Sequence, residues 1–373
     1  MNSEHSDDLP LSGVRVVDFS TLAPGPLATL MLAGAGADVI KIERPHDGED
    51  LRRFAPLRDG ESANFALLNK GKRSVALDLK DPDARGELEE LIRDADVLVE
   101  QFRPGVMRRL KLDYASVRAI NPSIIYCSIT GYGQSGERAQ RAGHDLNYLA
   151  DTGMLALSGD ADGSPVIPPV LIADLAGGSY PAVINILLAL HQRERTGVGS
   201  QLDISMTDNL FPLMFWALGE HIAGGAVPEH GSGWCTGGTP RYRVYATGDA
   251  GYVAVAALEQ RFWTTFCEVV DMPDELRDDS QDPAATATYI EVTIAARTTE
   301  HWRDVFASAD CCCNVLRSLE QVLSDRHYVE RGVFAGRLKF AGTTVGALPL
   351  PIVAQFCRDE VLAAPGVGER SEP

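Results

Sequence analysis

The sequence predicts an α/β protein, a doubly wound and mostly parallel sheet followed by a smaller α+β domain. Three observations predict it. Short apolar strands alternate with helical segments through the first half of the chain. That alternation stops in a stretch rich in Gly, His, Pro and Thr at 224–240, and strand and helix patterns of a different order resume beyond it. Alternation at this spacing marks strand–helix–strand units and hence a parallel sheet. A chain of 373 residues, 45% apolar and 23% charged, is long enough for two domains with a substantial core.

Val14–Phe19 is the first buried strand. Pro24-Gly25-Pro26 then opens a helix that runs to Gly34, proline suiting a first helical turn and glycine a helix end. Ala37–Ile42 and Ser74–Leu79 are strands, and a helix runs from Asp81, as N-cap, to Arg93. Val97–Gln101 is a strand, Pro104–Leu110 a helix and Ile124–Thr130 a strand. Leu146–Met154 reads as a helix behind Asp145. Ser179–Glu194 is a long apolar helix broken at 196–199, and Leu202–Leu218 starts as a strand and continues as a helix. Beyond 240, strands at Arg241–Tyr245 and Tyr252–Ala257 flank the turn Gly248-Asp-Ala-Gly251. Helices at Arg261–Val270, Glu300–Ala307 and Ser318–Ser324 follow. Gly34-Ala-Gly36 is not a dinucleotide fingerprint, because its glycines end a helix and precede a strand, the reverse of what such a loop needs.

Composition narrows the function. The formal charge is −18, from 52 acids against 34 Lys+Arg, and such a field repels nucleic acids and anionic membranes. An anionic small molecule would need a local cluster of cations. The first eight residues are acidic with no apolar stretch, apolar runs such as 182–190 are too short to span a bilayer, and the last five carry no address. A cytoplasmic location is therefore expected. The seven cysteines include three in a row, 311–313, which suits neither a disulfide framework nor the two-residue gap of a zinc pair. They read as small buried hydrophobes, and no metal is expected.

Two residues carry the chemistry. His144 stands in Gly143-His144-Asp145, just past the Gly-rich turn Thr130-Gly-Tyr-Gly-Gln-Ser-Gly136. Asp174 closes the apolar run Pro169-Val-Leu-Ile-Ala-Asp174 ahead of Gly177-Gly178. Each reads as a strand-to-helix junction, where a side chain is held at the mouth of an α/β sheet. Alone, His144 reads as a hydrogen-bonded loop histidine and Asp174 as a helix N-cap. Together they are a base and an acid for moving a proton. Leu210–Leu218, with Phe211, Met214, Phe215 and Trp216, reads as core at helical spacing, or as the lining of an apolar pocket.

In combination these segments resemble the family III CoA-transferase superfamily, and within it the α-methylacyl-CoA racemase branch. The resemblance rests on Leu11-Ser-Gly-Val-Arg-Val-Val-Asp18, Gly36-Ala-Asp-Val-Ile-Lys-Ile-Glu-Arg-Pro45, Phe102-Arg-Pro-Gly-Val106, Thr130-Gly-Tyr-Gly-Gln134, Gly143-His-Asp-Leu-Asn-Tyr148, Asp174-Leu-Ala-Gly-Gly178 and Ala257-Leu-Glu259. It implies a Rossmann-like large domain, an interlocked homodimer, and an active site between the large domain of one subunit and the small domain of the other. The expected division is an acidic segment at 1–10, a large domain at 11–223, a linker at 224–240, a small domain at 241–328, and a return segment to the large domain at 329–373.

The resemblance implies racemisation of 2-methyl-branched acyl-CoA thioesters, with His144 serving the S face and Asp174 the R face. It gives Glu259 the task of orienting His144. Asp145, standing just ahead of the Leu146–Met154 helix, is expected to cap that helix with its side chain and to turn its backbone N–H toward the substrate. No cofactor is implied, since the CoA moiety belongs to the substrate. Cations for the CoA phosphates lie in the first third, among Lys41, Arg44, Lys70, Lys72, Arg73, Arg103 and Arg109, with Arg44 and Arg103 foremost. One alternative is a CoA-transferase with Asp145 as nucleophile; another is a non-catalytic acyl-CoA-binding paralogue. His144 before the aspartate favours the racemases. Glu137, Cys311–Asn314 and a longer 46–69 segment depart from the pattern.

Overall fold

The computed structural model describes residues 9–159 and 164–370, so the acidic start, save its last two residues, lies outside the described chain. The chain divides into two units. The first takes its described residues from 9–152, 168–211 and 326–370, and the second from 153–159, 164–167 and 212–325.

In the first unit β1 (Arg15–Asp18) leads into α1 (Pro24–Gly34) and β2 (Asp38–Glu43). A small hairpin follows, β3 (Leu57–Arg58) with β4 (Glu61–Ser62), then α2 (Ala63–Asn69), whose first turn is capped by the Ser62 side chain. This fills the long 46–69 segment. Next come β5 (Arg73–Ala76), α3 (Ala84–Arg93), β6 (Val97–Glu100), α4 (Val106–Arg109), α5 (Tyr114–Ile120) and β7 (Ile125–Thr130). The short α6 (Asp145–Asp151), the long α7 (Tyr180–Thr196) and β8 (Ser200–Ser205) complete the layer.

The strands form one six-stranded sheet in the order β5-β2-β1-β6-β7-β8, every neighbour parallel. Strands covered on both faces are apolar throughout, and here β6 and β7 are buried at every position. Helix α1 is apolar all round, with ten of its residues buried, as a helix wedged between layers must be.

Several boundaries differ from the sequence reading. Asp81 does not cap α3: its carboxylate accepts the Asp83 N–H (3.0 Å) in a turn that precedes the helix. Asp174 is at neither a strand end nor an N-cap. It lies in the first turn of a π-helix, Ala173–Ser179, that continues directly into α7. The combined helix, Ala173–Thr196, is long and apolar enough to cross a membrane by length and composition, which corrects the estimate from the 182–190 run. In the first unit it packs on α1, β7 and β8. π-turns concentrate at functional sites. This one approaches the segment after β8 so closely that a Cβ on Gly177 would stand 2.4 Å from the Met206 carbonyl oxygen.

The second unit holds α8 (Phe215–Ile222) and an antiparallel sheet of β9 (Tyr242–Ala246), β10 (Tyr252–Ala256) and β11 (Cys313–Val315). Its helices are α9 (Gln260–Val269), α10 (Pro283–Ala295), α11 (Thr299–Ser308) and α12 (Leu319–Leu323). Helix α10, absent from the sequence reading, supplies the buried Ile290 and Ile294 to a core with Trp263, Phe266 and Trp302. Cys311 and Cys313 are buried in that core as small apolar groups. Phe211, Phe215 and Trp216 are not core residues: they are 44%, 59% and 48% exposed, and Trp216 meets Trp234 at 5.2 Å. Beyond α13 (Arg326–Glu330), strands β12 (Arg337–Phe340), β13 (Thr343–Gly346) and β14 (Leu362–Ala363) form a three-stranded sheet that packs against α2 in the first unit.

Candidate active site

A doubly wound sheet binds ligands outside the carboxyl ends of its strands, where the strand order reverses. Here the chain runs from β1 outward to β2 and β5, then returns to the other side of β1 as β6. Two clefts open at that reversal. One, of about 390 Å³, is lined by Leu22, Gln101, Phe102, Arg103, Thr130, His144, Tyr148 and Asp174, among others. The second, of about 920 Å³, includes Thr21, Arg44, Leu79, Lys80 and Arg109 in its lining. Phe102 belongs to both.

His144 and Asp174 thus share one cleft, though they arrive on different elements. His144 is the exposed residue before α6, where its N–H donates to Asn147 Oδ1 (3.0 Å). Asp174 stands in the π-turn. Burial, aided by the negative Asp145 beside it, pushes its carboxyl up to about 7 from an ordinary 3.8. Near neutrality such a group can hold a proton or release it.

Asp145 does not cap its own helix and is absent from the cleft lining. It is 6% exposed, and its carboxylate accepts the Asp174 N–H (2.9 Å) and the backbone N–H groups of Ala173 and Ile172. It caps the helix that carries Asp174. Burial raises its pKa, and those three N–H groups oppose the rise. Tyr148, which the sequence reading missed, packs its ring against Gly131 and lines the cleft with Asp174. Its hydroxyl donates to the Gly143 carbonyl (2.6 Å), and burial next to Asp174 lifts it to about 12. Only a short α6 that begins right after His144 turns Tyr148 back onto the loop, and no sequence pattern announces that.

The cations separate into two kinds. Lys72 was expected among the CoA ligands, but its side chain is wholly buried. Its ammonium donates to Thr29 Oγ1 (2.8 Å), Asn69 Oδ1 (2.9 Å) and the Pro26 carbonyl (3.0 Å), and pairs with Asp18 (3.4 Å). It cannot reach a ligand phosphate without leaving that network. Lys41 is equally enclosed, by Glu49 (2.8 Å) and the Ser20 carbonyl (2.7 Å). Arg73 is held in a bidentate pair with Asp38. By contrast, Arg103 in the first cleft and Arg109 and Lys80 in the second are exposed, with no ion pair among the described residues. Arg44 also lines the second cleft, paired with the exposed Asp50 (2.7 Å). Lys80 was missed by the sequence reading; its signal was its place just past a parallel strand's carboxyl end.

Glu259 is exposed at the start of α9 in the second unit, where its carbonyl accepts the Trp263 N–H (3.0 Å). Glu137 is an exposed loop residue. Among the described residues no group of His, Cys, Asp and Glu is arranged to hold a metal ion.

The model of CoA-transferase family III matches residues 11–370. The chain belongs to that family. It is 33% identical to human alpha-methylacyl-CoA racemase over 98% of this chain and 92% of the relative. It is 32% identical to mouse succinyl-CoA:glutarate CoA-transferase over 92% of this chain and 79% of that protein. The solved structure of a CaiB/BaiF family protein from Brucella suis superposes with a TM-score of 0.81 at 27% identity, covering 97% of each chain. A Mycobacterium tuberculosis protein in an orthorhombic crystal form gives 0.82 at 28% identity, again over 97% of each chain. This family III protein is therefore an enzyme of the CoA-transferase/racemase superfamily, and relatives of both activities are similarly close to it.

Proposed function

We propose that this enzyme is a racemase of 2-methyl-branched acyl-CoA thioesters, acting by 1,1-proton transfer through an enolate. The observation that carries the reading is the sorting of three residues. His144 and Asp174 line one cleft, whereas Asp145, the transferases' nucleophile by resemblance, is buried outside it with its carboxylate occupied by backbone N–H groups. A carboxylate held by donors is a weak nucleophile. An acid tuned to about 7 and an exposed imidazole are suited to exchange roles.

In the S-to-R direction His144 takes the α-proton, the C–H electron pair moves onto the thioester oxygen, and protonated Asp174 delivers a proton to the opposite face. The reverse reaction starts with Asp174 ionised. Asp145 holds the helix that aims Asp174, and its charge keeps that carboxyl from acidifying. Arg103, Arg109, Lys80 and Arg44 would meet the phosphates of CoA, and no resident cofactor takes part. The proposal includes a cytoplasmic homodimer in which Glu259 of the partner subunit orients His144. The deciding experiment incubates the enzyme with (R)-2-methylacyl-CoA in deuterated buffer without an acceptor acid. Uptake of deuterium with inversion supports the racemase. CoA transfer on adding an acceptor acid, with no exchange before it, moves the chemistry to Asp145.

A further inference from the structure

Read as a helix from Ser179, the sequence puts Pro181 in a first turn, where a proline's missing N–H is no loss. The helix instead runs from Ala173 to Thr196, so Pro181 lies in its interior. There it withholds the N–H that the carbonyl four residues earlier would accept, and its ring presses on that carbonyl. The carbonyl is that of Gly177. A widened turn relieves the clash, and the helix is π from Ala173 to Ser179.

Gly177 finds another donor. Its carbonyl accepts the Asn209 side-chain amide (2.9 Å), and the same nitrogen donates to the Ser205 carbonyl (3.0 Å). A carbonyl oxygen at each contact fixes which end of the Asn209 side chain is the nitrogen. The segment that presents Asn209 is itself held. The Met206 N–H donates to the Thr130 carbonyl (2.8 Å), and the Thr207 N–H and hydroxyl donate to the Gly131 carbonyl (3.0 and 2.9 Å). Helix α7 has 17 residues and packs on α1, β7 and β8. A change of register is therefore expected to move the short π segment, which carries Asp174, rather than α7.

We infer that Pro181 and Asn209 act as a pair that keeps this turn open and so fixes the direction of the Asp174 side chain. Pro181 denies the Gly177 carbonyl its ordinary partner, and Asn209 supplies a replacement. Both are positioning residues, since neither lines the cleft that holds His144 and Asp174. The inference rests on the racemase reading for the proton that Asp174 moves. If the turn closed to an α-helical one, the residues ahead of it would rotate by about 100°, one residue's step in a 3.6-residue turn. Asp174 would then turn away from the cleft it shares with His144.

The test gives the helix its missing donor. Pro181→Ala restores an N–H at position 181, Asn209→Leu removes the side-chain donor, and a double variant does both. Binding of free CoA is the folding control, and Asn209→Ala replaces Asn209→Leu if the latter fails it. The first readout is the titration of the Asp174 carboxyl, followed by NMR with ¹³C-labelled aspartate and identified by its loss in Asp174→Asn. It should move from about 7 in wild type toward the ordinary 3.8 in the double variant, as the rotated carboxyl leaves its buried place beside Asp145. The second is α-proton exchange in deuterated buffer. It should fall about 100-fold in the double variant, the cost of displacing a reacting group by about 1 Å.

Melting temperature separates position from stability. The double variant should melt no lower than wild type, because alanine replaces a proline inside a helix and the Gly177 carbonyl regains a donor. Asn209→Leu alone should melt lower yet keep the wild-type titration, since Pro181 still bars the α-helical turn. An Asp174 titration that is the same in wild type and double variant overturns the inference. So does a shift as large in Asn209→Leu alone, which would assign the effect to the lost hydrogen bond. Two outcomes bear on the racemase reading and leave the turn standing: a wild type that exchanges no proton, and a double variant whose titration moves while exchange holds.

Discussion

The first unit holds two polar clusters, and they are built on opposite rules. In the closed one, Asp18, Lys72, Lys41 and Glu49 are buried, and each charge has a partner of opposite sign within 3.4 Å. Lys72 and Lys41 hold the Asp18 carboxyl below its usual range against the pull of burial, while burial brings Lys72 down to about 8. In the open cluster, among the described residues, Asp174 has no cation acting on it and Arg103 has no carboxylate partner. Charges that satisfy one another fix a loop. Groups that do not are free to act on something else.

The sharpest way to break this contrast is to remove one group from each cluster. His144→Ala or Asp174→Asn should lower α-proton exchange about 10²- to 10⁴-fold, the usual contribution of a positioned acid or base, with no loss of melting temperature. Lys72→Met should do the reverse. It leaves Asp18 buried without its nearest cation, a loss of about 3–5 kcal/mol in thermal or denaturant unfolding, while the folded fraction keeps its activity. If Lys72→Met instead lost CoA affinity at full stability, the closed cluster would belong to the ligand site.

The pH dependence tests the open cluster next. Asp174 has a folded-state value of about 7 against an ordinary 3.8, so the native state keeps a proton that the unfolded chain releases. Its contribution to stability therefore falls as pH rises from about 4 to 7 and levels off above that range. Asp174→Asn should melt higher than wild type at pH 8 and alike at pH 4. In turnover both directions need one proton shared by the pair, on Asp174 for S-to-R and on His144 for R-to-S, so the two must follow one pH profile, as a reaction that consumes no net proton requires. With Asp174 at about 7, both should fall about tenfold per pH unit once the pair has lost that proton. A profile with no alkaline fall in either direction would remove Asp174 from the proton path.

The contrast also explains what the sequence disclosed. Alternating strands and the helix break at Gly34 were legible because each is local, an apolar period and a turn chemistry; that His144 and Asp174 share a cleft was legible from their flanking motifs, although the element that carries Asp174 was not. Lys72 was misread because Gly71-Lys72-Arg73 looks like any solvated basic turn. Its burial is decided by Asp18, 54 positions earlier in the chain, and by Thr29. Helix α10 was missed because Thr, Ile and Val at 286–294 carry strand propensity that its packing against Trp302 and Trp263 overrides. The π-turn was invisible because a widened turn depends on the close approach that Gly177 permits, not on a repeat in the sequence. The capping of Asp174's helix by Asp145 was illegible for the same reason, since it joins residues 29 positions apart.

The smallest predicted effects separate the basic residues. Arg103 is exposed, has no ion pair among the described residues and lines the cleft that holds His144 and Asp174, so Arg103→Ala should weaken free CoA about tenfold, the worth of a charge-assisted hydrogen bond lost at a partly solvated site. The weakening should shrink as salt is raised, because an exposed contact is screened. Lys80→Ala and Arg44→Ala should each cost less, Arg44 least, since Asp50 already occupies its guanidinium. Arg73→Ala should leave CoA affinity unchanged within twofold, because its guanidinium is committed to Asp38. Calorimetric titration with free CoA ranks the four. An order in which Arg73 exceeded Arg103 would mean that ion pairing inside the fold does not distinguish ligand cations from structural ones, and the contrast between the two clusters would fail at its simplest point.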